Sequence, residues 1–163
     1  MSHGEVESAI EVMGRDGDMK PFLDLVFTRA IRKLSNRDLI RLDEKTMKVV
    51  LLAYLSLSEV FFAWSEVELE FGYGDLVLVP NRNQPAAQVG FLIELKYLKT
   101  GAADKEVLAR LDEADAQLRR YLADPKLEAI KPPKGWKAVS VAFVATEVCW
   151  FRELGGEARK LGA

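Results

Sequence analysis

With one cysteine and one histidine in the chain, several common ways of building a reactive centre are closed. Cys149 has no partner for an intramolecular disulfide and cannot make a cysteine-based zinc site alone. It lies in the apolar run from Phe143 to Phe151 and reads as a buried free thiol. His3, in the opening Met-Ser-His-Gly stretch, reads as part of a frayed end, which argues against histidine catalysis and histidine-rich metal ligation. Apolar runs long enough to span a bilayer are lacking, as is a charged-then-apolar leader, so no membrane partner is expected and the cytoplasm is the expected compartment. Bulk positive charge is missing as well. With 23 Lys and Arg against 25 Asp and Glu the net charge is -2, so any contact with nucleic acid has to be local.

What is present is material for one substantial core: 163 residues, 49% of them hydrophobic, suit a single compact domain with an N-terminal helical segment. From Pro21 to Leu34 apolar residues recur at helical spacing, and Ser35-Asn36-Arg37 is expected to end that helix. Asp43 can cap a second helix whose buried stripe is Met47, Val50, Leu51, Tyr54 and Leu55, with Glu44 in the first turn, where the helix dipole favours an acid. Beyond Ser58 the residues become β-branched and aromatic, and Trp64 to Glu70 reads as a half-buried strand. Phe71-Gly72-Tyr73-Gly74 is expected to be a tight turn, Asp75 to Val79 a short buried strand and Val89 to Leu98 a third strand. Helical spacing returns from Asp104 to Ala123, and Ala138 to Phe151 reads as a last strand or pair of strands. The expectation is a mixed α/β sandwich, without internal repeats or low-complexity tracts.

The third strand carries the chemistry. Side chains alternate along a strand, so Glu94 and Lys96 share one face while Phe91, Ile93, Leu95 and Tyr97 take the other. Both faces are otherwise apolar, as in a central strand, and an ionised carboxylate and an ammonium are costly there unless paired or metal-bound. Asp75 opens the apolar run one strand earlier and can approach Glu94 if the two strands pair. Carboxylates that close raise each other's pKa unless a divalent cation sits between them, and hard oxygen ligands suit Mg²⁺ or Mn²⁺. A metal held by Asp75 and Glu94 would acidify water and neutralise charge on a scissile phosphate, with Lys96 placed to orient the water or stabilise the transition state.

Four stretches together resemble the PD-(D/E)XK nuclease superfamily, and more narrowly the nuclease-type domain found C-terminal in AAA-ATPase-like proteins. They are Trp64-Ser65-Glu66-Val67-Glu68, Phe71-Gly72-Tyr73-Gly74-Asp75-Leu76-Val77-Leu78, Phe91 to Lys99, and Ala114-Asp115-Ala116-Gln117-Leu118-Arg119-Arg120-Tyr121, within residues 40 to 150. The resemblance implies a restriction-endonuclease-like α/β core with a central mixed β-sheet flanked by helices, occupying residues 41–163 behind an N-terminal helical appendage of residues 1–40. It implies Asp75 and Glu94 as metal ligands, Lys96 as the catalytic lysine, Gln117 as the glutamine behind the site, and Mg²⁺ or Mn²⁺ as cofactor. Glu44 is the acid that would complete the metal site, with Glu66 as a substitute. No Gly-x-x-x-x-Gly-Lys motif occurs, so only the nuclease end is matched.

Two functions compete. One is a metal-dependent nuclease acting on DNA in preference to RNA, with Lys96, Lys99, Lys105, Arg119 and Arg120 as local positive charge. The other is a catalytically silent module that self-associates as a homodimer or docks to an ATPase partner. A weaker third is a small regulatory α/β domain without metal.

Overall fold

The computed structural model describes residues 2–34, 42–69 and 72–161. The frayed start expected from the sequence is instead helix α1, His3–Asp16. A capping box explains it: the Ser2 side chain accepts from the Glu5 N–H while the Glu5 carboxylate accepts from the Ser2 N–H, and Gly17 closes the helix in the left-handed conformation at φ 74. Helix α2, Lys20–Arg29, is shorter than the expected 21–34 and passes into a 3₁₀ turn over Ile31–Lys33. The stop expected at Ser35-Asn36-Arg37 lies outside the described residues. Helix α3, Glu44–Leu55, begins where expected, with the Asp43 carboxylate accepting the Thr46 N–H at 2.9 Å.

The remaining elements are β1 Phe61–Leu69, β2 Gly72–Pro80, β3 Gly90–Leu98, α4 Asp104–Leu122, α5 Pro125–Ala129, β4 Trp136–Val144, β5 Val148–Glu153 and β6 Arg159–Leu161. The expected last strand is thus the pair β4 and β5, and β6 adds a short edge that the sequence pattern does not reveal. Strand order follows the chain from β1 to β6. Every neighbouring pair is antiparallel except β3 and β4, which are parallel and joined by the α4 crossover. No helix among the described residues is long and apolar enough to cross a membrane.

The sheet is covered on both faces, as the apolar character of β3 requires. On one side Ile10 and Met13 of α1, Phe22 and Phe27 of α2 and Leu51 of α3 share a core with Leu76, Phe91, Ile93 and Val141. On the other, Leu118 and Tyr121 of α4 pack on Val77 and Leu92, and Val107 and Leu111 pack on Leu98 and Ala142. The resulting architecture is α/β, a mixed six-stranded sheet with flanking helices, consistent with a restriction-endonuclease-like core.

The β1–β2 hairpin reverses its faces midway. Phe61 and Ala63 pack into the first core, yet Val67 and Leu69, at the same parity, pack into the second. Uninterrupted alternation would keep all four on one side. The break falls at Glu66, whose φ of 50 is the left-handed region that side chains with a Cβ avoid. Across the ladder, Leu76 and Leu78 face the first core, whereas a Cβ at Gly74 would meet Leu69 and Val77, and one at Gly72 would meet Tyr121, both in the second. Gly72 and Gly74 therefore belong to strand β2 rather than to a turn; Phe71 lies outside the described residues. Gly72, at φ 139, lets the backbone come close to α4, where the Tyr121 hydroxyl donates to the Tyr73 carbonyl at 2.8 Å.

Candidate active site

Strands β2 and β3 pair only through Leu76–Ile93, Val77–Leu92 and Leu78–Phe91, whereas β3 stays paired with β4 along its length. Past Ile93 the two strands part, and the residues at the fork are Asp75 and Glu94. Each carboxylate takes over a main-chain donor that the ladder has released: the Leu95 N–H donates to Asp75 Oδ2 at 2.8 Å, and the Asp75 N–H donates to Glu94 Oε1 at 3.2 Å. The hairpin twist at Glu66 lies beside this fork, since the pairs Ser65–Leu76 and Val67–Gly74 set Glu66 opposite Asp75.

Two carboxylates are thus held at one notch, Glu94 buried at its base and Asp75 half-buried on the cleft wall. Glu94 is 3% exposed. Burial first, and then the charge of Asp75, push its carboxyl up to about 8, while the opposing pull of Lys96 is smaller. Lys96, 9% exposed, donates from Nζ to Gln117 Oε1 at 3.1 Å, so α4 fixes the amine from behind. Gln117 and Tyr121 stand one turn apart on α4, the first holding Lys96 and the second the start of β2.

In front of the notch lies a cleft of about 470 Å³ whose walls include Glu44, Lys45 and Lys48 of α3, Glu66, Asp75 and Tyr97. Glu44 sits across it with its carboxyl raised by burial and then by Asp75, and its Oε2 is 3.9 Å from Arg110 Nη2. Glu66 is 3.0 Å from Lys48 Nζ, which holds its carboxyl below the usual range. No group of three or more His, Cys, Asp or Glu side chains close enough to hold a metal ion occurs among the described residues. The structure therefore brings Asp75, Glu94, Lys96 and Gln117 together and leaves Glu44 on the cleft wall, leaning towards Arg110. Lys99, Lys105, Arg119 and Arg120 are all exposed, the two arginines in the last turn of α4, where the dipole favours cations.

Lys48 is missing from the residues singled out by sequence. Its signal is faint but present: it stands three and seven residues before the buried Leu51 and Leu55, on the side of α3 that faces the core.

The donor set fits a divalent cation of the hard, oxygen-seeking kind. Ionised together, the two carboxylates at the notch would carry more negative charge than the neighbouring lysine offsets, and Mg²⁺ or Mn²⁺ fills the rest of its coordination with water. Comparison with known proteins gives one match: a family model described as the PD-(D/E)XK nuclease superfamily, over residues 42–153. No curated protein and no solved structure matches the chain.

Proposed function

Because this chain belongs to the PD-(D/E)XK nuclease superfamily, we propose that it is a divalent-metal-dependent nuclease that hydrolyses phosphodiester bonds, with DNA as the preferred substrate. The observation that carries this reading is the Asp75–Glu94 notch, where burial and a second carboxylate hold Glu94 up to about 8 in the absence of a cation. A structural role would not require two acids there, since an apolar pair would cost less. In this reading residues 41–163 are the nuclease-like domain and residues 1–40 its appendage, whose helices α1 and α2 cover one face of the sheet.

Asp75 and Glu94 would hold Mg²⁺ or Mn²⁺, and Glu44 would add a third carboxylate by turning from Arg110 towards Asp75, whose charge it already feels. When bound, the cation supplies positive charge against the scissile phosphate and acidifies the attacking water. Lys96 stabilises the charge that builds on the phosphoryl oxygens, and Gln117 keeps its ammonium aimed at the notch. The main-chain donors that hold the two carboxylates pre-set their positions before substrate arrives.

The alternative, a silent interaction module, draws on Phe62 and Trp64, 54% and 45% exposed on the edge strand β1. Labelled single- and double-stranded DNA incubated with Mn²⁺ separates the two. Cleavage by the parent protein and none by Lys96→Ala is expected; equal cleavage by both, or none by either, would favour the silent module.

A further inference from the structure

Lys48 is a second cleft lysine, and neither the metal pair nor Lys96 gives it a task. It takes a position on the core-facing stripe of α3, where leucine would be the stabilising choice. Its stem is covered, leaving it 8% exposed, and its ammonium emerges in the cleft beside Asp75. The partner it meets there is Glu66, at 3.0 Å, and the pair is lopsided: the lysine side chain is 10% exposed and the glutamate side chain 61%. An ion pair with one member in bulk water adds little to stability, so the pair alone does not account for an amine at that position. Glu66 also reaches it from a left-handed backbone, a conformation that persists where the surroundings impose it. A sheltered cation, capped by a carboxylate that water can readily take back, suits an exchangeable oxyanion.

We propose that Lys48 is a phosphate-binding residue for the nucleic-acid backbone beside the scissile position, and that Glu66 is its placeholder until substrate phosphate displaces it. This rests on the nuclease reading above. The ammonium acts as a point charge on phosphate oxygens; Lys45, exposed on the same cleft wall, extends the positive edge. Glu66 then swings into solvent, leaving Asp75 and Glu94 undisturbed.

Anisotropy of a labelled single-stranded DNA oligonucleotide in EDTA, titrated across a salt series, reads binding without cleavage. Lys48→Met, which keeps the buried stem, is expected to weaken binding about tenfold and to lower the salt slope by about one ion, with Lys48→Arg close to the parent. Glu66→Gln should tighten binding severalfold, whereas Glu68→Gln, the same charge change on an exposed neighbour, should not. In the Lys48→Met background Glu66→Gln should have no further effect. With Mn²⁺, Lys48→Met should raise KM and keep kcat within about twofold, as loss of uniform binding does. Unchanged Mn²⁺ stabilisation of Lys48→Met would show that the fold and the metal pair are intact. Parent affinity and slope in Lys48→Met, or an equal effect of Glu66→Gln in both backgrounds, would overturn the assignment and leave the nuclease reading standing. A parent protein that binds no oligonucleotide at any salt would remove both.

Discussion

Replacing Glu94 with glutamine should stabilise the metal-free protein and, by the same change, abolish its response to divalent metal. The carboxyl of Glu94 ionises at about 8 in the fold against an ordinary 4.5. A carboxyl raised in the folded state lends stability that is complete below 4.5 and is lost as pH rises through about 8. Linkage converts that gap into about 4 kcal/mol lost by pH 8. Glutamine does not ionise, keeps an oxygen for the Asp75 N–H, and offers the Asp75 carboxylate the amide hydrogen that protonated Glu94 would offer. After relaxation of the fork, the gain at pH 8 in EDTA is about 2–4 kcal/mol, or roughly 5–10 °C in Tm for a chain of this size. At pH 5 it shrinks to a small fraction of that. Mn²⁺ at 1,000 times its Kd closes or reverses the gap, because it stabilises the parent by about 4.1 kcal/mol and the variant by little. Melting curves followed by circular dichroism at pH 5 and 8, each with EDTA and with Mn²⁺, contain the whole test. If Glu94 were one half of a buried ion pair with Lys96, its neutralisation would instead cost about 3–5 kcal/mol. A variant that melts lower than the parent at pH 8 in EDTA would refute the account of the notch.

Other perturbations should act through single contacts. Gln117→Leu unties Lys96 from α4 and is expected to lower kcat at least tenfold while leaving the Mn²⁺ shift in Tm intact. Tyr121→Phe removes the 2.8 Å bond to the Tyr73 carbonyl, at a cost of about 1 kcal/mol in denaturant melts; no change would mean that α4 does not hold the start of β2. Gly14→Ala sets a Cβ against the Ala86 carbonyl and Val60, so a loss of about 2 kcal/mol or more is expected, and a silent change would detach α1 from the core. Burial pushes the Cys149 thiol up, so maleimide should label it only after unfolding.

Much of the site is visible in the residues because its chemistry conflicts with its setting. Glu94 and Lys96 stand out on β3 since both faces of that strand are apolar, and a charge in such a place asks for a reason. Asp75 stands out for the same cause, and the register does carry it to Glu94. What the pattern hides is the reversal of the β1–β2 hairpin. Parity arguments assume unbroken alternation, and nothing in Ser65-Glu66-Val67 announces a left-handed glutamate. The glycines of β2 mislead in a related way: they serve close packing on Tyr121, while glycine in sequence most often signals a turn. Lys48 escapes notice because a lysine within a helical stripe reads as an interruption, although its stem packs and only its ammonium leaves the core. Helix α1 was there to be read, in the Ser2-x-x-Glu5 capping box. The short strand β6 was not, since three residues carry too little periodicity.

Calorimetric titration of Mn²⁺ into the parent protein and into Asp75→Asn, both at pH 7.5, bears most directly on the notch as a metal site. A saturable site in the parent that Asp75→Asn weakens at least tenfold is the expected result. Equal affinity in the two proteins would place the metal elsewhere and contradict the account.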